Sequence, residues 1–153
     1  MAITNFERVG KTLELLKSGL APFVEREIKA AIAANSLSMQ KVRAFVDDPI
    51  LANKTMGEWD VAALLKLMWE TWNEVFRRTL GFADRSLVSE IRDWRNKWAH
   101  QEPFSSDDAY RALDSTGRLL ASVSAPQADD VEKMKMELDR KSTRLNSSHR
   151  CIS

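Results

Sequence analysis

Apolar residues recur along most of this chain at spacings of three and four, which is the period of an amphipathic α-helix. The first such stripe runs from Val9 to Phe23. It follows Thr4 and Glu7, whose spacing is that of a capping box at a helix start. Pro22 predicts a kink or break, because proline removes a backbone donor, and the helix is expected to resume over residues 25–34.

The broadest stripe lies between residues 61 and 80 and predicts a helix at the centre of a bundle. Thr55 and Glu58 repeat the capping-box spacing before it, and Gly81 is placed for a left-handed residue after its end. The other predicted helices are a short one carrying Val42 and Phe45 before a boundary at Asp48-Pro49, one that opens at Asp84 and ends at Glu102-Pro103, and one from Ser105 to Ala125-Pro126.

These patterns predict an all-α protein, an up-and-down helical bundle of about five helices. With 153 residues the chain can form one domain, and its 5 glycines and 4 prolines are too few for a turn-rich all-β fold. No apolar run approaches the roughly 20 residues that span a bilayer, and no signal-peptide segment follows the start. We therefore expect a cytoplasmic protein without membrane contact.

The C-terminal segment 139–153 resembles a translated sequencing-library adapter and is predicted to be an artefact. It contains Cys151 and His149, so the rest of the chain has no cysteine for a disulfide, a thiolate nucleophile or a cysteine zinc site. Residues 1–138 carry a net charge of −2, from 19 Lys and Arg against 21 Asp and Glu, which gives no global attraction for nucleic acid. Any attraction has to be local.

The helix that opens at Asp84 ends in Arg95-Asn96-Lys97-Trp98-Ala99-His100, which holds the only histidine before residue 139. Imidazole moves protons near neutral pH, and a guanidinium stabilises the phosphorane formed when a 2′-hydroxyl attacks a phosphate. The segment therefore predicts cleavage of RNA without a metal or cofactor. The candidate catalytic residues are Arg95, Asn96 and His100, and the candidate substrate-binding residues are Arg92 and Lys97.

The spacing leaves alternatives open. On a regular helix Arg92, Asn96 and His100 form one ridge, whereas Arg95 and His100 diverge by about 140°. The latter two meet over one phosphate only if the helix end unwinds, or if a second subunit brings its own copy alongside. The bare pattern is also short enough to occur by chance, and a histidine in a last turn stabilises a helix through its dipole. Trp94 and Trp98 complete the apolar stripe and are predicted to be core residues.

The chain resembles the HEPN superfamily, whose signature is an Arg, a polar residue, and a His four to six positions after the Arg. Arg95, Asn96 and His100 fit its shortest form. Further segments are similar to the branch named for a nuclear mRNA-surveillance endoribonuclease, namely Trp59–Val61, Trp72–Phe76, Trp98–Gln101 and Phe104–Asp114. The resemblance covers about residues 3–125.

The resemblance implies a helical bundle that forms a homodimer through the motif helices and cleaves RNA without metal. It implies Arg95 as the phosphate-stabilising cation, His100 as the proton-transfer group and Asn96 as the supporting polar residue. Bacterial members of the branch often precede P-loop ATPases associated with phage defence. We therefore expect a HEPN-like domain over 1–125 and, over 126–138, the start of a linker helix to a missing domain.

Three functions follow as hypotheses. The first is an endoribonuclease within a larger defence or RNA-processing protein. The second is a non-catalytic HEPN module that binds RNA or nucleotide, or that dimerises to regulate an attached ATPase domain. The third is a helical scaffold without a site, which burial of His100 would favour.

Overall fold

The computed structural model describes residues 3–35, 37–44 and 56–152, and within them the only regular elements are helices. The six α-helices are α1 (Asn5–Ala33), α2 (Met39–Ala44), α3 (Val61–Glu70), α4 (Phe82–Ala99), α5 (Ser106–Ser122) and α6 (Gln127–Ile152). Two short 3₁₀ segments cover Met56–Glu58 and Phe76–Arg78. The predicted all-α bundle is confirmed, with six α-helices in the described residues where the sequence predicted about five.

Helix α1 begins as the sequence predicts but continues through its proline. The Thr4 hydroxyl accepts a hydrogen bond from the N–H of Glu7 at 3.0 Å, which caps the first turn. Pro22 lies on the exposed side of the helix, and α1 is unbroken over 29 residues. Leu20 and Val24, on either side of the proline, are fully buried in the same core. Packing on both sides therefore outweighs the hydrogen bond that the proline removes.

The segment after α1 is only partly described. Helix α2 forms where a short helix was predicted, and its Val42 is buried. The other predictions for this segment, concerning Phe45, the Asp48-Pro49 boundary and the Thr55 cap, lie outside the described residues.

The prediction of one helix over residues 61–80 is wrong in its length. Asp60 caps α3 by accepting from the N–H of Ala63 at 2.8 Å. The helix ends at Glu70, and the Thr71 hydroxyl then bonds back to the Leu67 carbonyl oxygen at 2.6 Å. Turns and a 3₁₀ segment continue the chain. The later stripe residues are still buried, namely Trp72, Val75, Phe76 and Leu80.

Gly81 has a different role from the one predicted. Its φ of −98° is not left-handed, and it is the N-cap of α4 rather than the end of the preceding helix. The Asp84 carboxylate accepts from the Gly81 N–H at 2.9 Å, so Asp84 caps the helix from its first turn. The Ser122 hydroxyl also donates to Asp84, which ties the start of α4 to the end of α5.

Helix α1, rather than α3, is the centre of the bundle, because it contacts α3, α4, α5 and α6. Gly19 allows the close approach of α1 to α5, since a Cβ there would overlap Leu120. The core continues beyond residue 125, because Val131 and Leu138 of α6 are buried. Residues 127–138 thus pack on the bundle, and the missing downstream domain stays a prediction.

Across the residues that the structure describes, every helix is too short or too polar to traverse a bilayer.

Candidate functional site

Helix α4 ends in a C-terminal cap in which the residue after His100 has a left-handed backbone conformation. His100 is the C-cap, and Gln101 has a φ of 58°. The Gln101 N–H donates to the Trp98 carbonyl oxygen at 2.9 Å. The Glu102 N–H donates to the Lys97 carbonyl oxygen at 3.1 Å, which completes a Schellman motif. The helix therefore stays regular up to His100 instead of unwinding before it.

Trp98 fixes this end of α4 to the start of α1. Its indole stacks on Phe6, with ring centroids 5.4 Å apart and an interplanar angle of 14°. Its Nε1 donates to the Phe6 carbonyl oxygen at 3.2 Å. Gly10 leaves the room that the indole occupies, since a Cβ there would lie 3.2 Å from Nε1. Trp98 is therefore a packing residue, as the sequence predicted.

Lys97 fixes the same helix end to the start of α5. Its ammonium lies 2.9 Å from a carboxylate oxygen of Asp108 and 5.0 Å from the centroid of the Phe104 ring. Hydrogen bonds from Lys97 and from Ser105 hold the pKa of Asp108 below its ordinary value, although burial opposes the shift. The predicted substrate-binding Lys97 thus already has a carboxylate partner within the chain.

The ridge predicted for Arg92, Asn96 and His100 lies on the outer side of α4. The Asn96 and His100 side chains are exposed, and Arg92 is half-buried. Within the described part of the chain, these three side chains make no hydrogen bond or ion pair. An amide, an imidazole and a guanidinium are therefore free to contact a ligand along one helical face.

Arg95 lies on another side of the helix. It is half-buried and borders a groove of about 530 Å³ between α1 and α4. The floor of this groove is apolar and includes Phe6, Leu13, Val61 and Trp98. The Arg95 guanidinium also makes no hydrogen bond or ion pair with the described residues, so it is available at the rim.

The structure does not bring Arg95 and His100 together within one chain. Because α4 is regular through Ala99, their directions differ by about 140° around its axis. Of the two arrangements that the sequence left open, an unwound helix end is not present. A site that combines Arg95 with His100 therefore needs a second copy of α4.

Sequence reasoning missed the α1 side of the Arg95 groove. Four charged residues of α1 and one preceding α3 line it, namely Glu7, Lys11, Glu14, Lys17 and Asp60. The sequence does contain a signal for this charged face, because the four α1 residues follow helical spacing on the side away from the apolar stripe. Nothing in that pattern indicates which helix it faces.

Among the described residues, no three His, Cys, Asp or Glu side chains come together as ligands for a metal ion.

Comparison with curated proteins and with solved structures gave no match for this chain. Comparison with protein families did. The sequence profile described as Swt1-like HEPN matches residues 11–124, which include most of α1, all of α2 to α5 and the Arg95-to-His100 segment. The match covers well over half of the chain, and the all-helical fold agrees with it. The chain belongs to the Swt1-like HEPN family.

Proposed function

We propose that this HEPN domain is a metal-independent endoribonuclease and works within a larger defence or RNA-processing protein. The observation that carries the proposal is the ridge of half-buried Arg92 and exposed Asn96 and His100, whose polar side chains have no partner among the described residues. A packing role for His100 would place its imidazole in the core or against carbonyl oxygens, and the imidazole is exposed instead. This exposure weighs against a scaffold without a site.

The chemistry assigns one task to each side chain. His100 takes the proton from the attacking 2′-hydroxyl or gives one to the leaving 5′-oxygen. Arg95 stabilises the charge on the pentacoordinate phosphate, and Asn96 holds the imidazole or a phosphate oxygen. Arg92 binds a neighbouring phosphate along the ridge. The products are a 2′,3′-cyclic phosphate and a 5′-hydroxyl.

The divergence of Arg95 and His100 supports an active site shared by two subunits. In a symmetric homodimer that pairs the α4 helices, His100 of one protomer and Arg95 of its partner can face one phosphate. Two equivalent sites then form in one cleft.

The same divergence also supports the second candidate, a non-catalytic HEPN module. In a single chain the ridge and the Arg95 groove are separate surfaces, each suited to binding RNA or a nucleotide without cleaving it. Such a module would regulate an attached ATPase domain in a longer protein.

A cleavage assay separates the two candidates. The full chain is incubated with labelled single-stranded RNA in EDTA, beside His100→Ala, Arg95→Ala and the remote exposed control Lys133→Ala. We expect cyclic-phosphate ends from the wild type and from Lys133→Ala, and loss of cleavage in the other two. Equal cleavage by all four proteins would identify a contaminant, and no cleavage by any of them would favour the binding module.

A further inference from the structure

The start of α4 carries an aromatic side chain that the fold leaves uncovered. Phe82 is 85% exposed, which makes it the most exposed large apolar residue in the described part of the chain. It lies between two hollows of about 510 and 340 Å³. Arg85 borders both hollows, and Arg77 borders the smaller one. A flat, exposed apolar ring beside hollows that contain arginines is suited to stack on a planar ligand.

Arg77 and Arg85 line the hollows beside this ring, and Arg78 follows Arg77 in the chain. Arg77 and Arg78 are exposed, and neither they nor Arg85 form an ion pair with the described residues. The Arg85 guanidinium lies 4.2 Å from the centroid of the Trp69 ring, and its Nε is buried without an acceptor. The other side of the guanidinium plane and its terminal nitrogens are left to contact an anion.

Most of the acidic groups at this end of the bundle are already engaged. Asp84 accepts from Gly81 and from Ser122. Glu74 pairs with Lys41 at 2.8 Å, and Glu90 pairs with Arg111. Asp93 lines the larger hollow without a partner among the described residues, on the side away from Arg77. Asp84 keeps its negative charge, because both of its donors are neutral. The smaller hollow, however, is lined by Arg77 and Arg85 and by no carboxylate among the described residues, so the field is positive on that side of Phe82.

We infer that the surface formed by Arg77, Arg78, Phe82 and Arg85 binds single-stranded RNA. A base stacks on Phe82, and the three guanidinium groups contact phosphates on either side of it, the combination that single-strand binding requires. Phe82 and Arg85 lie on the same outer face of α4 as Arg92 and His100. Phe82 is about 27 Å along the helix from His100, so one strand can extend from this surface towards the ridge. The choice of RNA as the ligand rests on the proposed function.

The test measures binding separately from cleavage. Each variant is made in the His100→Ala full chain, and its affinity for a short labelled single-stranded RNA is measured over a series of salt concentrations. Arg77→Ala/Arg78→Ala should weaken binding and make the slope of log K against log salt shallower by about 1.4. Phe82→Ala should weaken binding about tenfold with the slope unchanged, and Phe82→Trp should restore it.

The matched control is Arg26→Ala/Arg118→Ala, which removes two arginines, each 70% exposed, that have carboxylate partners elsewhere on the bundle. This pair should change affinity much less than the Arg77/Arg78 pair. Equal effects of the two pairs, or wild-type binding by Phe82→Ala, would overturn the inference. So would a change in sedimentation of Phe82→Ala without loss of RNA affinity, because Phe82 would then be a protein contact. If the cleavage assay shows no activity, the binding measurements still test this inference, because they do not depend on cleavage.

Discussion

Trp98 is stacked on Phe6 and donates its indole N–H to the Phe6 carbonyl oxygen, so one side chain joins the end of α4 to the start of α1. His100 follows two residues later, and its position depends on this contact. Trp98→Phe keeps a stacking ring and removes the hydrogen bond, and we expect it to lower the free energy of unfolding by about 1 kcal/mol. Trp98→Ala removes both and should cost about 2–3 kcal/mol, because the indole is only partly buried. Urea unfolding of the two variants checks the order, and equal costs would contradict a role for the hydrogen bond.

If Arg95 and His100 act together only across a dimer, inactive variants should complement one another. Arg95→Ala and His100→Ala are each expected to be inactive as homodimers. In an equimolar mixture that exchanges subunits, half of the dimers are mixed, and one of the two sites in each is intact. We therefore expect about a quarter of wild-type cleavage activity.

The control for complementation is a double variant, Arg95→Ala/His100→Ala, mixed with the wild type. A mixed dimer of that pair places one substitution in each shared site, so it should add no activity beyond the wild-type homodimers. If the mixture of the two single variants shows no cleavage although both are folded, Arg95 and His100 have separate functions.

The left-handed residue after His100 is a source of strain. Gln101 has a φ of 58°, and an L-residue with a Cβ pays about 1–2 kcal/mol for that conformation. Gln101→Gly should raise the free energy of unfolding by about 0.5–1 kcal/mol and leave cleavage unchanged, because the cap of α4 is preserved. Gln101→Val should lower it, since β-branching disfavours this region further. Thermal unfolding measures the stability, and the cleavage assay measures the activity. If Gln101→Gly is less stable than the wild type, a contact of the Gln101 side chain stabilises the fold by more than the backbone strain destabilises it.

Two helical glycines provide a matched test of helix packing. A Cβ at Gly19 would overlap Leu120 and lie 3.0 Å from the Cβ of Ala125, whereas one at Gly117 would sit at an ordinary 3.5 Å from Val131. Gly19→Ala should therefore destabilise the fold by about 1 kcal/mol or more, despite the gain in helix propensity. Gly117→Ala should stabilise it by up to about 1 kcal/mol. Stabilisation by both changes would mean that α1 and α5 separate easily, and destabilisation by both would mean that α5 and α6 are packed too tightly to accept the added methyl group.

The Lys97–Asp108 pair predicts a specific pH dependence. Hydrogen bonds from Lys97 and Ser105 lower the pKa of Asp108, so its contribution to stability is present above the unfolded pKa of about 3.9 and disappears as the pH falls through the lowered folded value. Because the carboxylate is half exposed, Asp108→Asn should cost no more than about 1 kcal/mol near neutral pH, and nothing at a pH below the folded pKa. Asp107→Asn, in the same first turn but without an ion pair to any described residue, is the control for the helix dipole. If Asp108→Asn still lowers the free energy of unfolding at a pH below the folded pKa, the effect comes from altered packing rather than from the loss of charge.

Part of the candidate site was visible before the structure. The spacing of Arg92, Asn96 and His100 placed them on one helical face, and they lie on one exposed face. The burial of Trp94 also followed from its place in the apolar stripe. Residue spacing does not show which element packs against each face of a helix. The groove beside Arg95 and the carboxylate that pairs with Lys97 were therefore not predicted.

The sequence by itself determined the helical class, most helix starts and which residues are buried, because caps and apolar spacing act over three or four residues. It misjudged where the backbone stays α-helical. Four apolar residues of the later stripe are buried as predicted, namely Trp72, Val75, Phe76 and Leu80. They lie in turns and a 3₁₀ segment, since burial constrains side chains more tightly than backbone hydrogen bonds. The divergence of Arg95 and His100 follows from the local regularity of α4 up to its cap, which the spacing alone left open. Only the tertiary structure decided that α1 is the centre and that Pro22 does not break it, because both depend on contacts between residues far apart in the chain.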